Sequence, residues 1–186
     1  MVFDFLDEKI DKAIKIYDDN FLSSGECLNI YGDYYSGKTS LCFNIIKNNT
    51  DKKIIYLVSE ILDPIYLNRL YELSVNDNIY LLHCINIKSL INILNKTPVE
   101  IVIIDSLTAM DYIEEKKDIE KLFKIIRNKN INLIMVSQIR EYNNQQFYEH
   151  KKILDFFSFK VKVEKNDDYI VLNGNNKIKL KEIWEQ

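Results

Sequence analysis

Two apolar runs, Cys27-Leu28-Asn29-Ile30-Tyr31 and Ser40-Leu41-Cys42-Phe43-Asn44-Ile45-Ile46-Lys47, flank the octet Gly32-Asp33-Tyr34-Tyr35-Ser36-Gly37-Lys38-Thr39. The first run reads as a buried strand and the second as a helix. The octet between them has the spacing G-x-x-x-x-G-K-[ST], and strand, glycine-containing loop and helix are the context in which that spacing forms a phosphate cradle. Successive backbone N–H groups curl around an anion, and the helix N-terminus adds the positive end of its dipole. Gly32 and Gly37 let the backbone approach without a Cβ in the way. In such a cradle Lys38 reaches the β- and γ-phosphates and Thr39 gives its hydroxyl to Mg²⁺. Residues 32–40, including Asp33, Tyr34, Tyr35, Ser36 and Ser40, are therefore the expected binding set for ATP with Mg²⁺. A strand–loop–helix unit of this kind is a piece of an α/β sheet, so it constrains the fold as well as the chemistry.

The rest of the composition narrows the classes of function. With 186 residues the chain can bury a sizeable core in a single domain spanning 1–186. A formal net charge of −3 means that any contact with nucleic acid comes from a local patch. No apolar run reaches the roughly 18 residues of a membrane span. Asp4, Asp7 and Glu8 near the start are not the basic opening of a secretory signal. Cys27, Cys42 and Cys84 are odd in number and lack C-x-x-C spacing, which fits buried thiols in a reducing cytoplasm rather than disulfides or zinc. His83 and His150 are isolated and read as structural residues.

Along the chain, helical and strand periodicities alternate. Phe5, Leu6, Ile10, Ala13, Ile14 and Tyr17 recur at three and four, which predicts a helix over 3–17. Strands are expected at Lys53–Val58, Ile79–Leu82, Val99–Ile104 and Asn132–Val136. Helices are expected from Asp63-Pro64 onward, around Ser89–Leu94 and over Lys117–Arg127, with Asp63 as N-cap and Pro64 in the first turn. This order predicts a mainly parallel, twisted sheet flanked by helices. From about residue 155 the pattern changes to period two. Phe157, Phe159, Val161 and Val163, then Tyr169–Leu172, then Ile178 and Leu180 predict an antiparallel extension over about 155–182.

In an open α/β sheet ligands sit beyond the carboxyl ends of the strands. Ser59-Glu60, Asp105-Ser106 and Ser137-Gln138 follow the second, fourth and fifth strands. Asp105 is the candidate magnesium partner of Thr39, or a cap at a turn. Glu60 is the candidate for holding and deprotonating an attacking water, or a solvated acid. Gln138 is the candidate γ-phosphate sensor, or a polar strand end.

The register of phosphate loop, Glu60, Asp105-Ser106-Leu107-Thr108 and Ser137-Gln138 resembles the RecA/RadA recombinase core over roughly residues 20–165. Ile55–Glu60 running into Pro64 and Arg69-Leu70, Asn78-Ile79-Tyr80 and Val102–Thr108 carry the likeness. The resemblance implies a RecA-like P-loop ATPase fold with Lys38, Glu60 and Gln138 as catalytic residues. It also implies a strand order in which the Gln138 strand lies between the phosphate-loop strand and the Asp105 strand. Only 26 residues precede the first core strand, so the chain is similar to compact RadB-type paralogues that keep the ATPase core alone. Tyr34 and Tyr35 depart from the usual loop, where they could shield a nucleotide or meet a neighbouring subunit.

The implied function is an ATP-binding recombinase paralogue in DNA repair and homologous recombination, with weak hydrolysis coupled to DNA or a partner. Its partners would be a recombinase or other repair protein, or further copies of itself. Arg140, Tyr142, Phe147 and Tyr148, in the polar segment after Gln138, could stack and neutralise single-stranded DNA, or form a plain surface loop. Lys160 and Lys162, with Lys177, Lys179 and Lys181, could form a basic stripe or simply protect a sheet edge. Of the arginines Arg69, Arg127 and Arg140, Arg140 is the best placed to reach a neighbour's nucleotide. Two other classes remain open: a non-catalytic mediator or KaiC-like regulator, and a small-molecule phosphotransferase, which usually closes arginines over its phosphate.

Overall fold

A computed structural model describes residues 13–59, 63–75, 77–83, 86–106, 116–142, 145–148 and 156–184. The chain opens with a small hairpin of β1 (Ile14–Tyr17) and β2 (Asn20–Leu22). The strands of the main sheet follow as β3 (Cys27–Gly32), β4 (Ile54–Val58), β5 (Ile79–His83), β6 (Ile101–Asp105), β7 (Asn132–Tyr142), β8 (Gln145–Tyr148), β9 (Phe159–Asn166), β10 (Tyr169–Leu172) and β11 (Asn176–Lys179). The helices are α1 (Lys38–Lys47), α2 (Pro64–Ser74), α3 (Ile87–Lys96), α4 (Lys116–Asn128) and α5 (Leu180–Trp184).

Among the described residues the sheet order is β11-β10-β9-β3-β7-β6-β4-β5, with β8 paired to β7. From β9 to β5 every neighbouring pair is parallel. The pairs β9–β10, β10–β11 and β7–β8 are antiparallel. The molecule is thus an α/β protein with a mixed, mostly parallel sheet. Its central strands are buried on both faces, which is why they read as continuous apolar runs in the sequence.

Side-chain alternation divides the core in two. Ile54, Tyr56, Val58, Ile101, Ile103, Ile134 and Val136 pack on the face covered by α1, together with Leu41, Phe43, Ile45 and Ile46. Ile55, Leu57, Val102, Ile104, Leu133 and Met135 pack on the other face, against Leu90 and Leu94 of α3 and Leu122, Phe123 and Ile126 of α4. Capping follows the sequence where it can be checked. Asp63 accepts a bond from Ile65 N at 2.8 Å with Pro64 in the first turn, and Asn86 accepts one from Ser89 N at 2.9 Å.

Three expectations are corrected. Residues 14–17 are a strand, not the end of a helix, and the earlier part of the expected 3–17 helix lies outside the described residues. The cause is tertiary. Asn49 accepts from Lys15 N at 2.9 Å and donates to Lys15 O at 2.7 Å, and Asn44 donates to Ile16 O at 3.0 Å. These amides, from α1 and the turn that follows it, satisfy a backbone that Ile14 and Ile16, both buried, already favour as strand. Second, β7 does not stop at Val136 but runs on to Tyr142 and pairs with β8, so the segment after Gln138 is a hairpin. Third, the C-terminal extension is antiparallel within itself, but β9 joins β3 in parallel, and Leu180-Lys181 belong to α5.

The Asn49 side chain is 3% exposed and also donates to Ile45 O at 2.7 Å. Asn49→Ala strands the Lys15 backbone groups and should lower stability by about 2 kcal/mol in urea denaturation. It should also speed amide exchange at Lys15. A loss below roughly 0.5 kcal/mol would show that β1 is held by its apolar contacts alone.

Candidate functional site

The carboxyl ends of β3, β4 and β6, and Gln138 of β7, meet at one edge of the sheet. A cleft of about 610 Å³ opens there, lined by Tyr34–Ser40, Asp63, Pro64, Tyr66, Asp105, Ser106, Val136, Gln138, Lys165 and Leu180. Alternation explains which side chains enter. On β6 the row Ile101, Ile103, Asp105 points to the α1 face, and on β7 the row Ile134, Val136, Gln138 does the same. Gln138 is also the register partner of Gly32, so it stands beside the start of the loop.

The loop itself is held by its own lysine. Lys38 is 8% exposed, and its Nζ donates to Asp33 O at 2.6 Å, Gly32 O at 3.1 Å and Ser36 Oγ at 3.4 Å. Those acceptors make a buried ammonium tolerable. At the N-terminus of α1 Gly37 is the cap residue at φ 95°, with no side-chain cap and no acid in the first turn. The leading N–H groups of α1 are therefore turned toward the cleft without a side chain closing them off, unlike those of α2 and α3.

The two loop glycines are required by close approach. A Cβ on Gly32 would stand 2.2 Å from Val163 O, and one on Gly37 would stand 2.4 Å from Ile170 Cγ2. Both obstructing groups belong to the C-terminal strands β9 and β10, which therefore press directly on the loop. Tyr34 and Tyr35, 64% and 85% exposed, form an edge-to-face pair at 4.9 Å and both line the cleft.

Asp105 is 5% exposed and sits at the centre. Its Oδ2 accepts from Thr39 Oγ1 at 2.8 Å and from Tyr56 Oη at 2.6 Å. The peptide that follows it, Asp105–Ser106, is cis. Ser59 Oγ donates to Ser106 O, joining the ends of β4 and β6. Tyr56 stacks with Phe43, which stacks in turn with Tyr66 at the cleft wall. Thr39 and Asp105 offer two oxygens to one point, a donor set suited to a hard cation that also takes phosphate and water oxygens. Among the described residues there is no group of three or more His, Cys, Asp or Glu able to hold a metal by itself.

Of the sequence-derived residues, 34–40, Asp105 and Gln138 line one cleft, and Gly32 and Asp33 are tied to it through their carbonyls by Lys38. Glu60 lies outside the described residues. Arg140 stands opposite Phe147, and Tyr148 opposite Ile139, in the β7–β8 ladder beyond Gln138. Lys162 is engaged by Glu164 at 2.6 Å on the sheet face away from the cleft. The sequence reading missed Tyr56, whose phenol in a fully buried strand required a polar partner. It also missed Asn29, a buried amide in an apolar strand that accepts from Ser137 Oγ at 2.8 Å while its Nδ2 has no partner among the described residues. It also passed over Lys165, which belongs to β9 just before the turn into β10.

Burial pushes the Cys42 thiol well above its ordinary 9.0, and the nearby Asp105 charge adds to that while Lys38 opposes it. Burial likewise pushes the Tyr56 phenol well above 10.0, reinforced by the Asp105 charge, Cys42 and the hydrogen bond to Asp105. Cys27 is raised to about 11, mainly by burial. All three are neutral in the folded protein and ionise more easily once unfolded. Their contribution is complete below about pH 9 and is lost as pH rises toward the folded values, at up to about 1.4 kcal/mol per pH unit per group. The urea midpoint should fall steadily above about pH 9, and Tyr56→Phe should make the fall shallower above about pH 10. A midpoint that stays flat through this range would contradict the buried neutral phenol. Neither a protein-family model nor a curated protein matches this chain, and its chemistry therefore rests on the geometry of the cleft.

Proposed function

We propose that the cleft binds MgATP and that the chain is a RecA-like ATPase core acting as a recombinase paralogue in DNA repair. The observation that carries the reading is the 2.8 Å bond from Thr39 to Asp105 beside Lys38 and the uncapped start of α1. It brings two oxygens, one cation and the N–H donors of a helix start without a side-chain cap to one place, which is the complement of a metal-bound polyphosphate. The strand order β3-β7-β6, with Gln138 beside Gly32, adds support, because it matches the order implied by the resemblance.

In this reading the N–H groups of residues 35–40 cradle the phosphates, and Lys38 exchanges part of its hold on Gly32 and Asp33 carbonyls for phosphate oxygens. Thr39 and Asp105 hold Mg²⁺, which neutralises charge on the β- and γ-phosphates. Tyr56 keeps its proton and fixes the Asp105 carboxylate from the far side. Glu60 orients and deprotonates water. Gln138 hydrogen-bonds the γ-phosphate, and its position at the root of the β7–β8 hairpin couples nucleotide state to Arg140, Tyr142, Phe147 and Tyr148. Single-stranded DNA or a repair protein would meet that hairpin. A small-molecule phosphotransferase would be expected to line the cleft with arginines, and neither Arg69 nor Arg127 is among the described residues that line it.

ATP turnover should be slow and should rise with single-stranded DNA at low salt, the rise disappearing as salt increases. Glu60→Gln should reduce turnover at least about tenfold. Equal near-background rates in parent and Glu60→Gln would instead favour an ATP-dependent mediator that does not turn over. Phosphorylation of a nucleoside by the pure protein would overturn the recombinase reading in favour of a phosphotransferase.

A further inference from the structure

The β9–β10 hairpin does more than cover the loop. On β9 the residues Val161, Val163 and Lys165 alternate onto the α1 face, the first two buried at 6% and 0%. Lys165 continues that row past the edge of the core and lines the same cleft as Lys38 and Thr39. Its register partner on β10 is Ile170, and cross-strand partners share a face with their Cβ atoms about 5 Å apart. Ile170 is the residue whose Cγ2 blocks a Cβ on Gly37. Lys165 therefore leaves the sheet directly over the Gly37–Lys38 step. Among the described residues no acid is paired with it, whereas Lys162, on the other face of β9, is held by Glu164.

We propose that Lys165 is a second phosphate-binding cation of the cleft, supplied by the chain's own C-terminal hairpin. This rests on the nucleotide reading above and extends it. Lys38 already serves three acceptors within the loop, so a polyphosphate carrying several negative charges needs a further cation. Lys165 brings one on a flexible four-carbon stem from the opposite wall. The ligand class it selects is nucleoside di- and triphosphates over nucleosides. Because Val163 and Ile170 of the same hairpin touch the loop glycines, the cation is positioned by the contacts that shape the loop.

The test is equilibrium titration of the full chain with fluorescent ADP and with a non-hydrolysable fluorescent ATP analogue, both with Mg²⁺, at two salt concentrations. The proteins are the parent, Lys38→Ala, Lys165→Ala, Lys165→Arg and Lys124→Ala, the last on the exposed side of α4. Lys165→Ala should weaken both nucleotides about tenfold at low salt and less at high salt, with an unchanged melting temperature. Lys165→Arg should stay within about twofold of the parent, and Lys124→Ala should match it. If Lys38→Ala loses binding while Lys165→Ala binds like the parent, Lys165 has no such role and the nucleotide reading stands. A parent that binds neither nucleotide overturns both. A loss equal in Lys124→Ala and Lys165→Ala would reduce the effect to net charge and also overturn the proposal.

Discussion

The cleft depends on one buried carboxylate. Asp105 is bonded by Thr39 from α1 and by Tyr56 from β4, while its own backbone ends β6. Three elements distant in sequence are thereby fixed to a common point. A carboxylate so buried is costly unless it is bonded, and it is strongly destabilising to leave it with one partner removed. The arrangement thus ties the integrity of the fold to the geometry of the site. Burial keeps Tyr56 and Cys42 beneath it neutral, and the Asp105 charge raises each further.

The second determinant comes from the C-terminal strands. In a free-standing strand–loop–helix unit the glycines of the octet answer to a ligand. Here Gly32 answers also to Val163 O and Gly37 to Ile170, so the loop is clamped between α1 and the β9–β10 hairpin. The hairpin joins the sheet beside β3, and a strand in that position reaches the loop without any long connection. The exposed Tyr34–Tyr35 pair stands at the cleft itself. A loop shaped from both sides is pre-organised, and ordering it on binding costs correspondingly less.

Much of this was legible in the sequence because it follows local rules. Five apolar runs became the strands β3 to β7 of the parallel part of the sheet, and Asp63-Pro64 became a capped helix start. The meeting of residues 34–40 with Asp105 and Gln138 followed from the strand ends alone. What was not legible depended on tertiary contacts. Ile14 and Tyr17 fit a helical period as well as a strand, and the Asn44 and Asn49 side chains decide between them. The sequence after Gln138 is rich in polar residues and carries no strong alternation to announce a strand pair. Lys165 is followed by Asn166, Asp167 and Asp168, residues typical of a turn, yet the turn begins only at Asp167. Tyr56 and Asn29 were polar groups inside apolar runs, and their partners lay on other strands.

The most direct measurement is calorimetric titration of MgATP into the parent chain and into Lys38→Ala, with and without Mg²⁺. The account requires saturable binding that weakens strongly when Mg²⁺ is removed and that is lost in Lys38→Ala while the variant remains folded. Binding of equal strength in the parent and in folded Lys38→Ala would contradict it.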